Sequence, residues 1–591
     1  MAARPDADHS RSRPDAAESR LIAGVPTAFA LGIVVLGVVD VVSAVTPERA
    51  GRLHELTTVV PLSVAHAASA ATAVTGLLLI LLGHGLRRRK RRAWRGAVTL
   101  LLLSTALHVV KGLDTEEAVV TFAAAVALLL LSRQFYAAGD PRTRWRAPAT
   151  FVAMLAGSLV VGLGLIYAQH AHLRGDPSFG SRLQQVLWGL IAVAGPVRFT
   201  TADAGDFVSD ILLALGVVTA VVPVYLALRA PEPRAVLTQE QEEQLRELLC
   251  RQGRRDSLGY FALRRDKAVI FSDSGKAAIS YRVLSGVMLA SGDPIGDPEA
   301  WPGAVHAFLA EARRHAWVPA VMGCGEQGGE TWVREAGLRA IELGDEAVID
   351  VADFTLEGRA MRNVRQMVAR VERAGYATRV RRTHDITATE IAEIRREAAA
   401  WRGAEVERGF SMALGRFGDP ADGECVAVTA YKDERLCAVL HFVPWGSDGL
   451  SLELMRRDRA ADAGLNELMI VAAIGAAAEL GVCRLSLNFA VFRSALERGG
   501  RLGAGPVLRL WREILLIASR WFQIESLYRF NAKFRPVWEP RFVCYPGAAD
   551  VPRVAIAALE AEAFLVWPNQ WWALRRGTRT KPLAATARGF R

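Results

Sequence analysis

The strongest constraint on this chain is where its apolar residues fall. Long apolar runs fill roughly the first 230 residues, and charged residues dominate the remainder. The chain is 51% hydrophobic with a mean hydropathy of +0.19, yet 23% of its residues are charged, values that coexist only through this segregation. The runs lie at about 21–45, 57–83, 96–112, 116–132, 148–168 and 208–229. Each is near the length of about 20 residues that crosses a bilayer, the third and fourth being short. A multi-span α-helical membrane domain is therefore expected over 21–230. Residues 1–20 read as a disordered tail, too polar for a signal peptide. The full length of 591 residues exceeds what one core organises, so a further domain is expected beyond it.

Loop charge sets the expected orientation. The linker Arg87 to Arg95 and the segment Arg133 to Arg146 are very basic, whereas the turn Lys111 to Glu117 is short and acidic. By the positive-inside rule the first two are cytoplasmic and the third external, which places both termini and the large C-terminal part in the cytoplasm of a multi-pass plasma-membrane protein. The weaker run 183–199 holds Gln184, Gln185, Pro196 and Arg198 and reads as peripheral or re-entrant. Asp40 and His66 fall inside spans, where an ionisable group is either functional or a polar contact between helices.

Over the whole chain, a net charge of +11 and a pI near 9.6 favour polyanionic partners, lipid headgroups or nucleic acid, with Arg-rich solubility as the plainer alternative. The six cysteines are scattered without a C-x-x-C pair and read as reduced core residues of a cytosolic domain. His170 and His172 form the one close histidine pair, in a loop, and no metal site is expected. Thr238 caps a helix over TQEQEEQLRELLCRQG. A strand–loop–helix–strand order then occurs twice. It runs from AAISYRVLSGVMLASGD through AVHAFLAEARRHA to VPAVMGC, and again from LSLELMRRD through ELMIVAAIGAAAELG to VCRLSLNFA. Two such βαβ units predict two similar α/β lobes, 235–383 and 384–575, followed by a basic tail at 576–591. The order resembles the Gcn5-related N-acetyltransferase fold, in which a glycine-rich loop at a helix N-terminus holds coenzyme A pyrophosphate. Here the second loop, Arg459 to Asn466, has one glycine and an aspartate, a poor cradle, so no coenzyme A is expected.

Longer strings carry a more specific resemblance. SLELMRRDRAADAGLNELMI, RLSLNFAVFRSALERGGRLGAGPVLRLW, IESLYRFNAKFRPVWEPRFVCY, RNVRQMVARVERAGY and ERGFSMALGRFGDPADG resemble the lysyl-phosphatidylglycerol synthases, or multiple peptide resistance factors, in the actinobacterial form fused elsewhere to lysyl-tRNA synthetase. The resemblance covers residues 235–572 and, more loosely, the membrane half. It implies a tandem acetyltransferase-like domain that moves an aminoacyl group, most simply lysyl, from aminoacyl-tRNA to the glycerol hydroxyl of phosphatidylglycerol. That transfer lowers the negative charge of the membrane and gives resistance to cationic peptides. No synthetase follows residue 591, so a separate lysyl-tRNA synthetase is the expected source of the donor. The family motif Asp-Leu-Met-Arg here carries Glu453. Alternatives are another amino acid or lipid acceptor, or a flippase or transporter with a regulatory domain; whether the chain forms a homo-oligomer stays open.

The implied chemistry needs a base, a cation for the oxyanion and positive charge for phosphates. Glu453, Arg456 and Lys533 are the catalytic candidates. Read alone, Glu453 and Arg456 would be an edge-strand ion pair and Lys533 a solvated basic loop. The substrate-binding candidates are Asp293, Arg362, Asn363, Arg408, Ser411, Arg416, Asn488, Asn531 and Arg535. Asp293 shapes a turn or recognises an amino group, and Asn488 reaches a cleft or caps a strand. Arg362, Arg365, Arg370 and Arg373 spread over a helix face suited to tRNA phosphates or to plain solvation, and Arg408, Ser411 and Arg416 would contact the acceptor end. The Trp- and Arg-bearing stretches GPVLRLWREILLIASRWFQ and VWPNQWWALRR suit either a membrane interface or an amphipathic core helix.

Overall fold

The computed structural model describes the chain except residues 1–15, 46–61, 88, 113–114, 136–145, 229–235, 404–408, 492–523 and 566–591. Both Trp-rich stretches lie largely outside the described residues, as does Arg408. Two compact units part after Pro231.

The first unit consists of α1 (Ala16–Val45), α2 (Leu62–Arg87), α3 (Arg91–Gly112), α4 (Thr115–Leu130), α5 (Arg146–Ala168), α6 (Phe179–Gly189) and α7 (Ala202–Leu228). All but α6 stand where the six spans are expected. Pro148–Ala168 and Ala202–Leu226 are long and apolar enough to cross a membrane by themselves. With 11 residues α6 is about 16 Å long, too short to cross. Side chains such as Leu31, Leu130 and Val160 stand 66–79% exposed, apolar surface that a lipid environment covers. Helices α1 and α2 cross on glycine: a Cβ at Gly37 or Gly76 would lie 2.5 Å from the other's carbonyl oxygen. Asp40 is buried here and accepts from Ser104 Oγ at 3.0 Å, with His108 Nε2 at 3.1 Å and Glu117 3.0 Å from the other imidazole nitrogen. Its observed role is polar packing between α1 and α3. The side chain of His66 is outside the described residues.

The second unit opens on α8 (Gln239–Gln252), capped by Thr238 in a reciprocal box with Gln241. Its core is one 12-stranded sheet: β1 (Ala268–Phe271), β2 (Ala277–Leu284), β3 (Val287–Ser291), β4 (Ile295–Gly296), β5 (Val318–Cys324), β6 (Arg339–Asp350), β7 (Tyr376–Arg382), β8 (Val426–Lys432), β9 (Arg435–Trp445), β10 (Gly449–Arg457), β11 (Arg484–Val491) and β12 (Val537–Tyr545). The helices are α9 (Trp301–His315), α10 (Glu326–Ala336), α11 (Arg362–Arg373), α12 (Ala388–Arg402), α13 (Leu465–Gly475), α14 (Ile524–Ala532) and α15 (Val551–Ala561). The expected repeat is present as β3–α9–β5 and β10–α13–β11, each with its two strands paired in parallel. The expected single strand over 277–291 is a hairpin instead, because Ser285 and Gly286 both take positive φ (48° and 72°), the geometry of a tight turn.

The lobes are less separate than the repeat suggests. The strand order is β1-β2-β3-β5-β12-β6-β11-β10-β9-β8-β7. Strand β12, from the end of the chain, lies between β5 and β6, and β6 of the first lobe lies between β12 and β11, so the halves exchange strands. The expected boundary at 383/384 also moves. Met361, Val364, Val368, Val371 and Tyr376 bury in the same core as Val426, Leu450 and Leu485, so α11 and β7 belong with the second lobe. Of the cysteines, Cys324, Cys425, Cys437 and Cys544 are buried as expected, but Cys250 and Cys483 are exposed.

Candidate functional site

The site forms where two parallel strands part. Strands β10 and β11 pair only from Gly449 to Ser451 and from Arg484 to Ser486. Just beyond, each is irregular against its other neighbour. The register of β10 on β9 slips between Leu452 and Leu454, which leaves Glu453 as the extra residue of a bulge. The register of β11 on β6 slips between Ser486 and Phe489. Within that slip Asn488 takes φ 67°, a left-handed conformation that asparagine tolerates better than most residues. Its Nδ2 donates across the gap to the Leu452 carbonyl.

Hydrogen bonds connect the predicted residues around this gap. Asn531, buried at the end of α14, donates through Nδ2 to the Leu487 carbonyl at 3.5 Å. Two residues on, Lys533 Nζ lies 2.7 Å from Glu467 in the first turn of α13. Asn488 and Asn531 thus bond to the strand backbone at this gap, and Lys533 to the start of α13. Arg535 is exposed on the same turn. By strand alternation past the bulge, Met455 returns to the core beneath α13 and Arg456 to the opposite side of β10.

Glu453 is not in an edge-strand ion pair. Its strand is interior, between β9 and β11. Oε1 accepts the backbone amides of Leu414 (2.9 Å) and Gly415 (2.7 Å), and Oε2 meets His441 Nδ1. Burial pushes this carboxyl up, but the adjacent His441 and the two amide donors outweigh burial and hold it below the ordinary carboxylate value. His441 is not among the residues that the sequence singles out. The available signal is the hairpin: His441 and Glu453 lie six residues either side of Ser447, the centre of the β9–β10 turn, so pairing brings them together. Phe417 packs edge-on to the imidazole, with ring centroids 4.7 Å apart.

Several other candidates are engaged by partners within the protein. Ser411 is fully buried; its Oγ donates to Glu562 at 2.9 Å and its backbone amide does so at 3.1 Å. Arg416 is held by Asp422 at 2.6 and 3.0 Å and lies 3.1 Å from Glu242. With Leu414 and Gly415 they form a strap whose backbone amides at Leu414 and Gly415 pin Glu453. Arg362 and Asn363 are exposed at the start of α11, whose Val364, Val368 and Val371 pack on the core shared with α13. Among the described residues, no hydrogen bond or ion pair joins them to Glu453.

Asp293 does not stand in solvent. It is buried, accepts the Gly325 amide at 2.7 Å and presses on Gly328, where a Cβ would come within 2.0 Å of Oδ1. Burial and the nearby Asp256 carboxylate push its pKa up to about 7, against the pull of Arg541. Because the folded-state value is raised above the ordinary 3.8, the penalty is absent below the unfolded pKa and grows as pH rises towards 7. Asp293→Asn should therefore raise the melting temperature at pH 8 by several degrees more than at pH 5. At about 1.4 kcal/mol per unit the ceiling is roughly 4 kcal/mol. Equal effects at both pH values in a thermal melt would exclude this account.

With the geometry in view, comparisons with known proteins place the chain. The family model described as phosphatidylglycerol lysyltransferase, C-terminal, matches residues 246–545, half of the chain, and that of the transmembrane region of lysyl-tRNA synthetase matches residues 21–226. The lysylphosphatidylglycerol biosynthesis bifunctional protein LysX of Mycolicibacterium vanbaalenii is 44% identical over 509 residues, covering 83% of this chain and 45% of that protein. LysX of Mycobacterium tuberculosis is also 44% identical, over 505 residues, covering 83% of this chain and 43% of that protein. The chain thus spans less than half the length of these relatives. Among solved structures, L-PGS from Bacillus licheniformis aligns at 21% identity with a TM-score of 0.48, over 55% of this chain and 97% of that one. The C-terminal domain of a putative lysylphosphatidylglycerol synthetase from Agrobacterium fabrum aligns at 25% identity with a TM-score of 0.46, over 54% of this chain and 96% of that one. Joined to a membrane-spanning half, this chain belongs to the phosphatidylglycerol lysyltransferase family.

Proposed function

We propose that the chain transfers an aminoacyl group, lysyl first among them, from aminoacyl-tRNA to the glycerol hydroxyl of phosphatidylglycerol at the inner leaflet. The observation that carries this reading is the Glu453–His441 pair at the parting of β10 and β11, within the segment matched by the family model. The reaction is a transesterification. The lipid hydroxyl gives up a proton as its oxygen attacks the ester carbonyl, and the tRNA ribose oxygen leaves and takes a proton, so no net proton is consumed. Arg456, Lys533 and Arg535 supply cations for the oxyanion and the lipid phosphodiester. The outward arginines of α11 suit RNA phosphates. A lysyl-tRNA synthetase supplies the donor, and the product replaces an anionic headgroup with a cationic one.

No coenzyme A takes part in this reading. The N-terminus of α13, where an acetyltransferase would bind pyrophosphate, carries Glu467 in its first turn, already paired with Lys533. Millimolar coenzyme A should leave the rate unchanged, and competition with aminoacyl-tRNA would overturn this assignment. The function itself is tested with purified full-length protein, lysyl-tRNA and phosphatidylglycerol vesicles. A ninhydrin-positive lipid should form and should vanish when RNase is added first. Lipid translocation without new aminoacyl-lipid would favour a transporter instead.

A further inference from the structure

We propose that His441 is the general base of this transfer and that Glu453 serves as the carboxylate that orients it. This assignment rests on the proposed function and places the proton within its site.

Glu453 is poorly placed to take a proton itself. Three donors converge on its two oxygens, the amides of Leu414 and Gly415 on Oε1 and His441 Nδ1 on Oε2. Its carboxylate form is the favoured one, and a carboxyl held low is a weak base. The imidazole is in the opposite position. With Nδ1–H donating to a carboxylate, the neutral ring has its lone pair on Nε2. His441 Nε2 is buried and has no hydrogen-bond partner among the described residues. A buried acceptor without a partner is costly, and a substrate hydroxyl is the kind of group that completes it.

The ring is held for this task. His441 sits on β9 opposite Leu454, beside the bulge that turns Glu453 out of register. Phe417 contacts the ring edge-on and is itself fixed, since Arg395 Nε donates to the Phe417 carbonyl at 2.6 Å. The strap that closes over the pair takes positive φ at Gly409 (120°), Gly415 (71°) and Gly418 (71°), conformations that leave the amides of Leu414 and Gly415 directed at the carboxylate. In the reaction, Nε2 removes the proton of the glycerol hydroxyl as the new C–O bond forms. The imidazolium, stabilised by Glu453, then returns that proton to the ribose oxygen as the old C–O bond breaks.

The test uses full-length protein in phosphatidylglycerol vesicles with lysyl-tRNA. His441→Gln should lower kcat by about 100-fold or more with little change in KM, the range of a lost acid–base group. His441→Gly should regain activity, about tenfold or more, when imidazole is added, and this gain should follow the neutral imidazole fraction as pH is varied. Melting curves identify which variant is folded, and the one that melts like wild type is read. His441→Gln with turnover near that of wild type, or a folded but inactive His441→Gly that imidazole does not raise, would overturn the assignment. A wild-type protein that makes no aminoacyl-lipid would instead refute the proposed function, so the two failures are distinct.

Discussion

Replacing Glu453 with glutamine should cut turnover by at least about 100-fold while the melting temperature changes by only a few degrees. Hydrogen-bond polarity is the cause. The carboxylate accepts from three donors, two backbone amides and one imidazole nitrogen. Glutamine presents one oxygen and one NH2 group, so it cannot satisfy both sides unless the imidazole changes tautomer. If its oxygen keeps the amides of Leu414 and Gly415, its NH2 must donate to Nδ1, which moves the ring proton to Nε2 and removes the base. Geometry survives and proton transfer does not. Glu453→Asp restores the acid that the family motif ordinarily carries and should lose far less. Turnover of Glu453→Gln near wild type, measured by aminoacyl-lipid formation, would leave Glu453 with a structural role only.

The second large effect concerns stability. Arg541 on β12 is nearly inaccessible and joins groups from distant parts of the chain. Its guanidinium donates to Glu346, which is also inaccessible, to Asp256 at 2.7 Å and to Ser257 Oγ at 2.7 Å. Glu346 in turn accepts from Ser257 and Ser486, and Asp293 lies in the same buried cluster. Arg541→Met removes the cation that joins them and leaves these carboxylates facing one another away from water. Breaking a buried pair in this way costs about 3–5 kcal/mol. At roughly 2 °C per kcal/mol for a domain of this size, the melting temperature should fall by about 5–10 °C. Adding Glu346→Gln should recover part of the loss, because the double variant buries one charge fewer. A single variant that melts like wild type would show that solvent reaches the cluster.

Local pattern carries much of this architecture. The period-two runs over 318–324, 449–457 and 484–491 are strands, and Thr238 caps the helix expected after it. Glu453, Asn488, Asn531 and Lys533 are legible as candidates because they lie in long distinctive strings, and Asn488 and Asn531 bond to the backbone where β10 and β11 part. What is not legible depends on contacts far apart in sequence. Arg416 reads as a free cation until α8 supplies Glu242. Ser411 reads as a polar loop residue until the end of α15 brings Glu562 against it. Asp293 reads as a turn former, but its carboxylate is buried, accepts the distant Gly325 amide and lies near Arg541 of β12. His441 is hidden for a different reason. One histidine in an apolar strand is ordinarily a packed core residue, and only the register of the hairpin shows that a carboxylate faces it.

The exchange of β6 and β12 dictates the order in which this protein can be made. The ladder between β5 and β12 brings Cys324 and Cys544, 220 residues apart, to within 3.6 Å of each other. A ribosome therefore delivers the whole first lobe well before the strand that seals its edge exists. Until residue 545 has emerged, β5 and β6 expose unpaired backbone on a nascent chain, an invitation to mispairing that a chaperone or rapid synthesis must offset. For the same reason neither lobe is a portable module: cutting the gene between them leaves each product short of a strand that only the other encodes.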